Sequence, residues 1–224
     1  MPATREPIDT SDMLIPHNTL RDALGRTDAL IGSVTPGDSA RAAIVGSFFD
    51  NVLRFLGAHH EGEDELLYSR ARERAPEHVV LFDRMEAEHR AAAASDAAAN
   101  EELATWMADP SSGNATALAG ALGDLRTVLG EHLADEEREV LPIAATIFTA
   151  EEWGELPGHV LRTFSGDKPW LILGLVFEQM TDEQRALMLA HMPPPVVEMW
   201  NGPGSASFAA FIADVRGTAA PAPA

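Results

Sequence analysis

Two stretches of this chain carry the same interruption in an otherwise regular pattern. From Leu118 onward apolar residues return at steps of three or four, through Leu122, Leu125 and Leu129 to Val140 and Ile143, but His132 and Glu136 occupy the middle of the row. An earlier row of Val45, Phe48, Val52, Leu56 and Leu66 is broken in the same way by His59 and Glu63. Such steps place every member on one face of an α-helix, the face that turns to the core. A carboxylate on that face is costly unless it is neutralised, paired or used as a ligand. The chain must therefore fold as helices that bury carboxylates, and it must supply what those carboxylates need.

Breakers divide the first two thirds into four helical segments. The first runs from about Ser11 to Val34 and stops at Thr35-Pro36-Gly37. The second starts at an Asp38/Ser39 cap and reaches about Arg74, with Pro76 beyond it; the third spans roughly Glu77 to Ala108; the fourth lies between about Asn114 and Phe148. Four long helices with short connections predict an all-α, up-down-up-down four-helix bundle over residues 12–148. Pro142 is expected to kink or loosen the end of the fourth helix. After it, Thr149-Ala-Glu-Glu152 and Thr181-Asp-Glu-Gln184 are capping-box signatures, and repeated prolines cut residues 149–216 into short helices. Three of the four tryptophans, Trp153, Trp170 and Trp200, fall there, which predicts a helical C-terminal extension docked on the bundle. Residues 217–224 read as a disordered tail.

A net charge of -19 repels phosphate backbones, so nucleic acid is not an expected partner. Cysteine is absent, which removes disulfides, thiolate metal sites and cysteine nucleophiles. There is no long apolar run for a membrane span and no export signal, so the expected location is cytoplasmic.

Eight histidines are present, and three open a His-x-x-x-acid pair: His59/Glu63, His60/Asp64 and His132/Glu136. Spacing alone decides nothing, since 35 acids in 224 residues give about one such pair by chance. The interrupted stripes carry more weight. His17 joins them on the row Met13, Leu20, Leu24, Ile31, and His89 on the row Phe82, Met85, Ala93. In an up-down bundle His17 and His59 lie about equally far from one loop, and His89 and His132 from the loop at the same end, so at 1.5 Å per residue all four reach one level, about 30 Å along. Nitrogen and carboxylate donors without sulfur suit iron or manganese, with zinc possible; six side chains exceed what one catalytic zinc uses. Two octahedral ions sharing Glu63 and Glu136 and a bridging oxygen leave positions open for a small ligand, which makes di-iron the first expectation. His78, His159 and His191 have no partner at useful spacing and read as surface or core residues.

The pattern His17 … His59-x-x-x-Glu63 … His89 … His132-x-x-x-Glu136, with Pro16-His17-Asn-Thr-Leu-Arg21, Glu86-Ala-Glu-His89-Arg90 and His132-Leu-Ala-Asp-Glu-Glu137 around it, resembles the hemerythrin-like (HHE cation-binding) family. The resemblance covers about residues 13 to 148. It implies a non-haem di-iron cofactor, two irons per chain with an oxo or hydroxo bridge, held by His17, His59, His89, His132 and the bridging Glu63 and Glu136. Superposing Glu63 on Glu136 matches Leu67-Tyr68 to Val140-Leu141 and favours His59/Glu63 over His60/Asp64. One departure stands out: oxygen-carrying hemerythrins use two histidines on the third helix, whereas Met85 and Ala93 flank His89 here. His60 and Glu86 are the candidate replacements. The expected function is binding of and reaction with O2, H2O2 or NO, the alternatives being a reversible carrier or sensor, or an iron-binding module without turnover. A homodimer is compatible with this, and no electron donor is specified. Tyr68 is expected to be packing. Asp64, Glu137 and Asp135 are expected to orient the histidines, and Phe48, Phe49 and Phe55 to fill the core beside a dry access route. A zinc-protease helix at His60-Glu61 fails for want of a second histidine, and a ferritin-like Glu-x-x-His at Glu86 has no second copy.

Overall fold

The computed structural model describes residues 6–217, and among these there are only helices, turns and connections. The tail expected at 217–224 lies, apart from Gly217, outside the described residues. The first segment is α1 (Leu14–Gly25) followed by α2 (Thr27–Gly32). The predicted single helix is broken at Arg26, where the Thr27 hydroxyl turns back to donate to the Leu24 carbonyl at 2.7 Å. Gly37, at a positive φ of 86°, makes the turn that brings Asp38 into place to cap α3 (Ser39–Gly62), its carboxylate accepting from the Arg41 N–H at 2.9 Å. A π-helical turn (Glu63–Tyr68) carries α3 into α4 (Ser69–Arg74). The third segment is α5 (Val79–Ala108), and the fourth is α6 (Ser112–Asp135), a second π turn (Glu136–Val140) and α7 (Leu141–Ile147). α5 packs against both α3 and α6, and α1 packs against both α3 and α6.

The π turns explain where the sequence stripes and the structure part company. Each inserts about one extra residue into a helical turn and so rotates everything beyond it by about 100°. Beyond Glu63 the predicted core residue Leu66 is only half-buried, and Leu67 and Tyr68 take its place. Beyond Glu136 the half-buried Ile143 gives way to Ala144. Pro142 has no N–H to return to the fourth residue before it, which accounts for loosening there. The turn at Glu63 has no proline, and what the two turns share is a glutamate at the first position. On α5 the inward position after His89 is Ala92, and Ala93 faces outward.

Two apolar cores follow. One contains Leu20, Leu24, Phe55, Leu56, Leu125 and Leu129; the other contains Met13, Leu67, Met85, Val140 and Phe148. Along α1, α3 and α6 the histidines and glutamates fall between a residue of one core and a residue of the other, forming a polar layer between two oily ones.

The extension comprises α8 (Ala150–Trp153), α9 (Glu155–Thr163), α10 (Pro169–Glu178), α11 (Asp182–His191), α12 (Pro194–Met199) and α13 (Ser205–Arg216). Both expected capping boxes form, at Thr149/Glu152 and Thr181/Gln184. Leu171, Ile172, Leu173, Leu175, Val176 and Phe177 of α10 are buried and belong to the same core as Leu20 and Phe48. Gly174 lets the Phe208 ring lie against the backbone, where a Cβ would stand 2.2 Å from it. No helix among the described residues is long and apolar enough to cross a membrane.

Candidate metal centre

The polar layer brings the six expected residues together. His17, Glu63 and Glu136 are fully buried, and His59, His89 and His132 nearly so. His17 from α1 meets His59 from α3 edge-on, with ring centres 5.2 Å apart. Glu63 Oε1 lies 3.1 Å from His59 Nε2 and 3.9 Å from His17 Nε2. Its other oxygen, Oε2, faces the opposite way and stands 3.5 Å from His89 Nε2. His89 and His132 point their Nε2 atoms at each other across 3.0 Å. Glu136 Oε2 reaches both sides, 3.3 Å from His17 Nε2 and 3.9 Å from His132 Nε2. One carboxylate thus divides its two oxygens between the histidine pairs, and the other turns one oxygen to both.

Opposing charges shape these groups. Burial drives His59 well below the ordinary imidazole range, and the His17 charge adds to it. Burial likewise pushes His132 down to about 4. Burial also acts against a charged His17, but Glu136, Glu137 and Glu63 more than reverse it and hold it well above the ordinary value. Burial raises Glu63, and the neighbouring Glu136 charge raises it further. For Glu136 burial is outweighed by His17, and the carboxyl is held low.

The outer nitrogens are fixed by a ring of carboxylates. His17 Nδ1 lies 2.8 Å from Glu137 Oε1, which Arg21 also grips at 2.7 Å. His89 Nδ1 lies 2.8 Å from Asp64 Oδ1, and His132 Nδ1 lies 3.2 Å from Glu88 Oε2. An ionised carboxylate only accepts, so these three histidines carry a proton on Nδ1 and turn Nε2 inward. Glu137 and Asp64 were expected here. Asp135 touches no histidine and pairs instead with Arg84 and Arg138. The third orienting carboxylate is Glu88, which the sequence did not single out; its position one residue before His89 turns it across to α6. Tyr68 does more than pack, because its hydroxyl donates to Glu136 Oε1 at 2.7 Å.

Of the two candidate replacements on the sequence, His60 enters the layer and Glu86 does not. Glu86 is exposed and bonded to Arg72 and Arg90. Phe55 stacks near His59, with centres 6.3 Å apart, whereas Phe48 and Phe49 lie about three turns earlier in the core. His159 of α9 is buried against Gly62, where a Cβ would meet its Cδ2 at 3.2 Å, and it faces Glu61 at 4.0 Å and Glu65 at 3.7 Å. His78 packs at the edge of Phe82, and His191 is exposed. A cleft of about 450 Å³ opens beside Arg54, Glu61 and Asp96, lined by none of these six residues.

Whether the layer suits a cation can be read from its unused atoms. His17 Nε2, His59 Nε2, both Glu63 oxygens and Glu136 Oε2 are buried without a hydrogen-bond partner. Buried polar atoms are almost always paired, so convergent unpaired donors on one layer fit a metal. They fall into two buried groups, His17, His59 and Glu63 on one side and His60, Glu63, His89 and His132 on the other. No match was found among curated proteins or among solved structures. The profile of the Hemerythrin HHE cation binding domain matches residues 10–144. The chain therefore belongs to the hemerythrin HHE cation-binding family.

Proposed function

We propose that this protein is a non-haem di-iron protein that reacts with O2, H2O2 or NO. In this reading residues 12–148 form an up-down-up-down four-helix bundle, in keeping with the packing of α1 and α5 on both α3 and α6, and residues 149–216 are an extension on it. His17 and His59 hold one iron, His89 and His132 the other, and Glu63 and Glu136 bridge them. The observation that carries the reading is Glu63, fully buried, with one oxygen facing each histidine group. The sulfur-free set of imidazole and carboxylate donors suits iron, which such ligands bind in six-coordinate sites.

Iron bound here, oxo- or hydroxo-bridged, supplies Lewis acidity and electrons to a small ligand. The chain supplies the surroundings. Glu137, Asp64 and Glu88 accept from the Nδ1–H groups and so aim the Nε2 atoms inward, the apolar cores on either side exclude bulk water, and Tyr68 holds a proton 2.7 Å from Glu136. The test begins with metal analysis and an absorption spectrum: about two irons per chain with near-ultraviolet oxo-bridge bands are expected. Anaerobically reduced protein should then consume peroxide or nitric oxide over many cycles, and arrest after one equivalent removes the turnover reading. The second reading is a sensor or carrier, favoured by the contact of α9 with Gly62 next to Glu63. An adduct that dissociates intact would establish it.

A further inference from the structure

His60 is the one buried histidine of the layer that the six-residue ligand set leaves idle. Its Nε2 is buried and has no hydrogen-bond partner. Its ring stacks on His89, with centres 4.2 Å apart and planes 17° from parallel, and meets His132 edge-on at 5.2 Å. One ligand atom from each of His60, Glu63, His89 and His132 lies within 4.8 Å of all the others. A histidine kept for packing alone would be expected to have a partner for that nitrogen, or to be replaced by an apolar side chain at no loss. Adjacent residues on a helix point about 100° apart, and α3 is bordered by both α1 and α5. His59 therefore looks at His17 while His60 looks at His89.

We infer that His60 is a nitrogen ligand of the ion held by His89, His132 and Glu63, supplying from α3 the imidazole that α5, with Met85 and Ala93 around His89, does not provide. The inference rests on the di-iron reading above. It makes the two halves unequal, three imidazoles against two.

The test uses the full chain and ferrous iron alone, titrated anaerobically against a competing chelator. Wild type should retain two irons. His60→Ala and His60→Gln should retain one, the second being weakened by more than the roughly 100-fold that is the upper end for loss of a supporting residue. Added imidazole should restore the second iron to His60→Ala, which a purely structural role would not allow. Two variants of different volume are used so that a folding failure in one leaves the other to decide. Glu86→Ala, an exposed control, should keep both irons. Two irons held with unchanged affinity in the His60 variants would overturn this assignment alone, whereas fewer than two irons in wild type would overturn the di-iron reading and this assignment with it.

Discussion

Glu136 shows how much a single side chain is asked to do. It is fully buried, turns Oε2 to His17 and His132, and has its other oxygen occupied by the Tyr68 hydroxyl. Tyr68→Phe removes that donor and leaves a buried carboxylate oxygen unpaired, which should cost about 1–3 kcal/mol in denaturant unfolding of the metal-free protein. Iron content should stay at the wild-type level, and an unchanged midpoint would show that the bond contributes nothing. His17, His59, Glu63, His89, His132 and Glu136 were legible because each interrupts an apolar stripe, and a polar residue on such a face destabilises the fold unless it holds something there. His60 and Glu88 were not. Each sits beside a stripe rather than on it, and which neighbouring helix it faces depends on packing that spacing along one chain does not contain.

At the level of helices, the two π turns matter most. They begin at Glu63 and Glu136, where a regular helix would have carried the original stripe straight on. Deleting the exposed Glu65 should close the first turn into ordinary α-helix while leaving Leu67 and Tyr68 in their core register. The expected protein keeps its helical circular dichroism but holds iron less tightly, because Asp64, which orients His89 from within the turn, is displaced; a deletion variant with unchanged iron affinity would show that the turn is incidental. The long helices, their ends and both capping boxes could be read from the sequence because caps and breakers are local chemistry. The π turn at Glu63 could not, since there a one-residue insertion leaves no local mark and emerges only as a change of register, whereas Pro142 marked the loosening of the second. α5 carries a separate cost. Asp96 has one oxygen buried and unpaired, and burial raises its carboxyl from the ordinary 3.8 to about 6. The folded state then holds this proton more tightly than the unfolded chain, so stability should fall as pH rises from about 4 to about 6 and level off above. Asp96→Asn should lack that fall, so the gap between the two proteins' melting temperatures should widen over this interval; parallel curves would mean that Asp96 is solvated.

Taken as a whole, the chain does not separate cleanly at the boundary where its composition changes. Residues of α10 and α13 share one core with α1, α3, α5 and α6, and Trp153 donates to Asp12 at 2.8 Å, tying the extension to the opening turn. The six large buried side chains of α10 represent about 9–18 kcal/mol of burial at about 1.5–3 kcal/mol each, comparable to the whole stability of a typical domain. A fragment ending at Phe148 should therefore lose its cooperative melt and bind hydrophobic dyes. A sharp transition with two irons bound would show the helices up to Phe148 to be self-sufficient. The sequence suggested that the extension docks, but not how deeply, because a run such as Leu171 to Phe177 is equally apolar whether it caps a core or covers a surface.

The absent side chain at Gly62 has a use of its own. With hydrogen alone on that α-carbon, the ring of His159 lies close over the backbone one residue before Glu63, where an added methyl group would crowd it at 3.2 Å. A shift of the backbone there when the neighbouring site fills changes the surroundings of that imidazole. Its carbon-bound protons should thus behave as a strain gauge, changing magnetic resonance frequency with occupancy although the ring binds nothing itself.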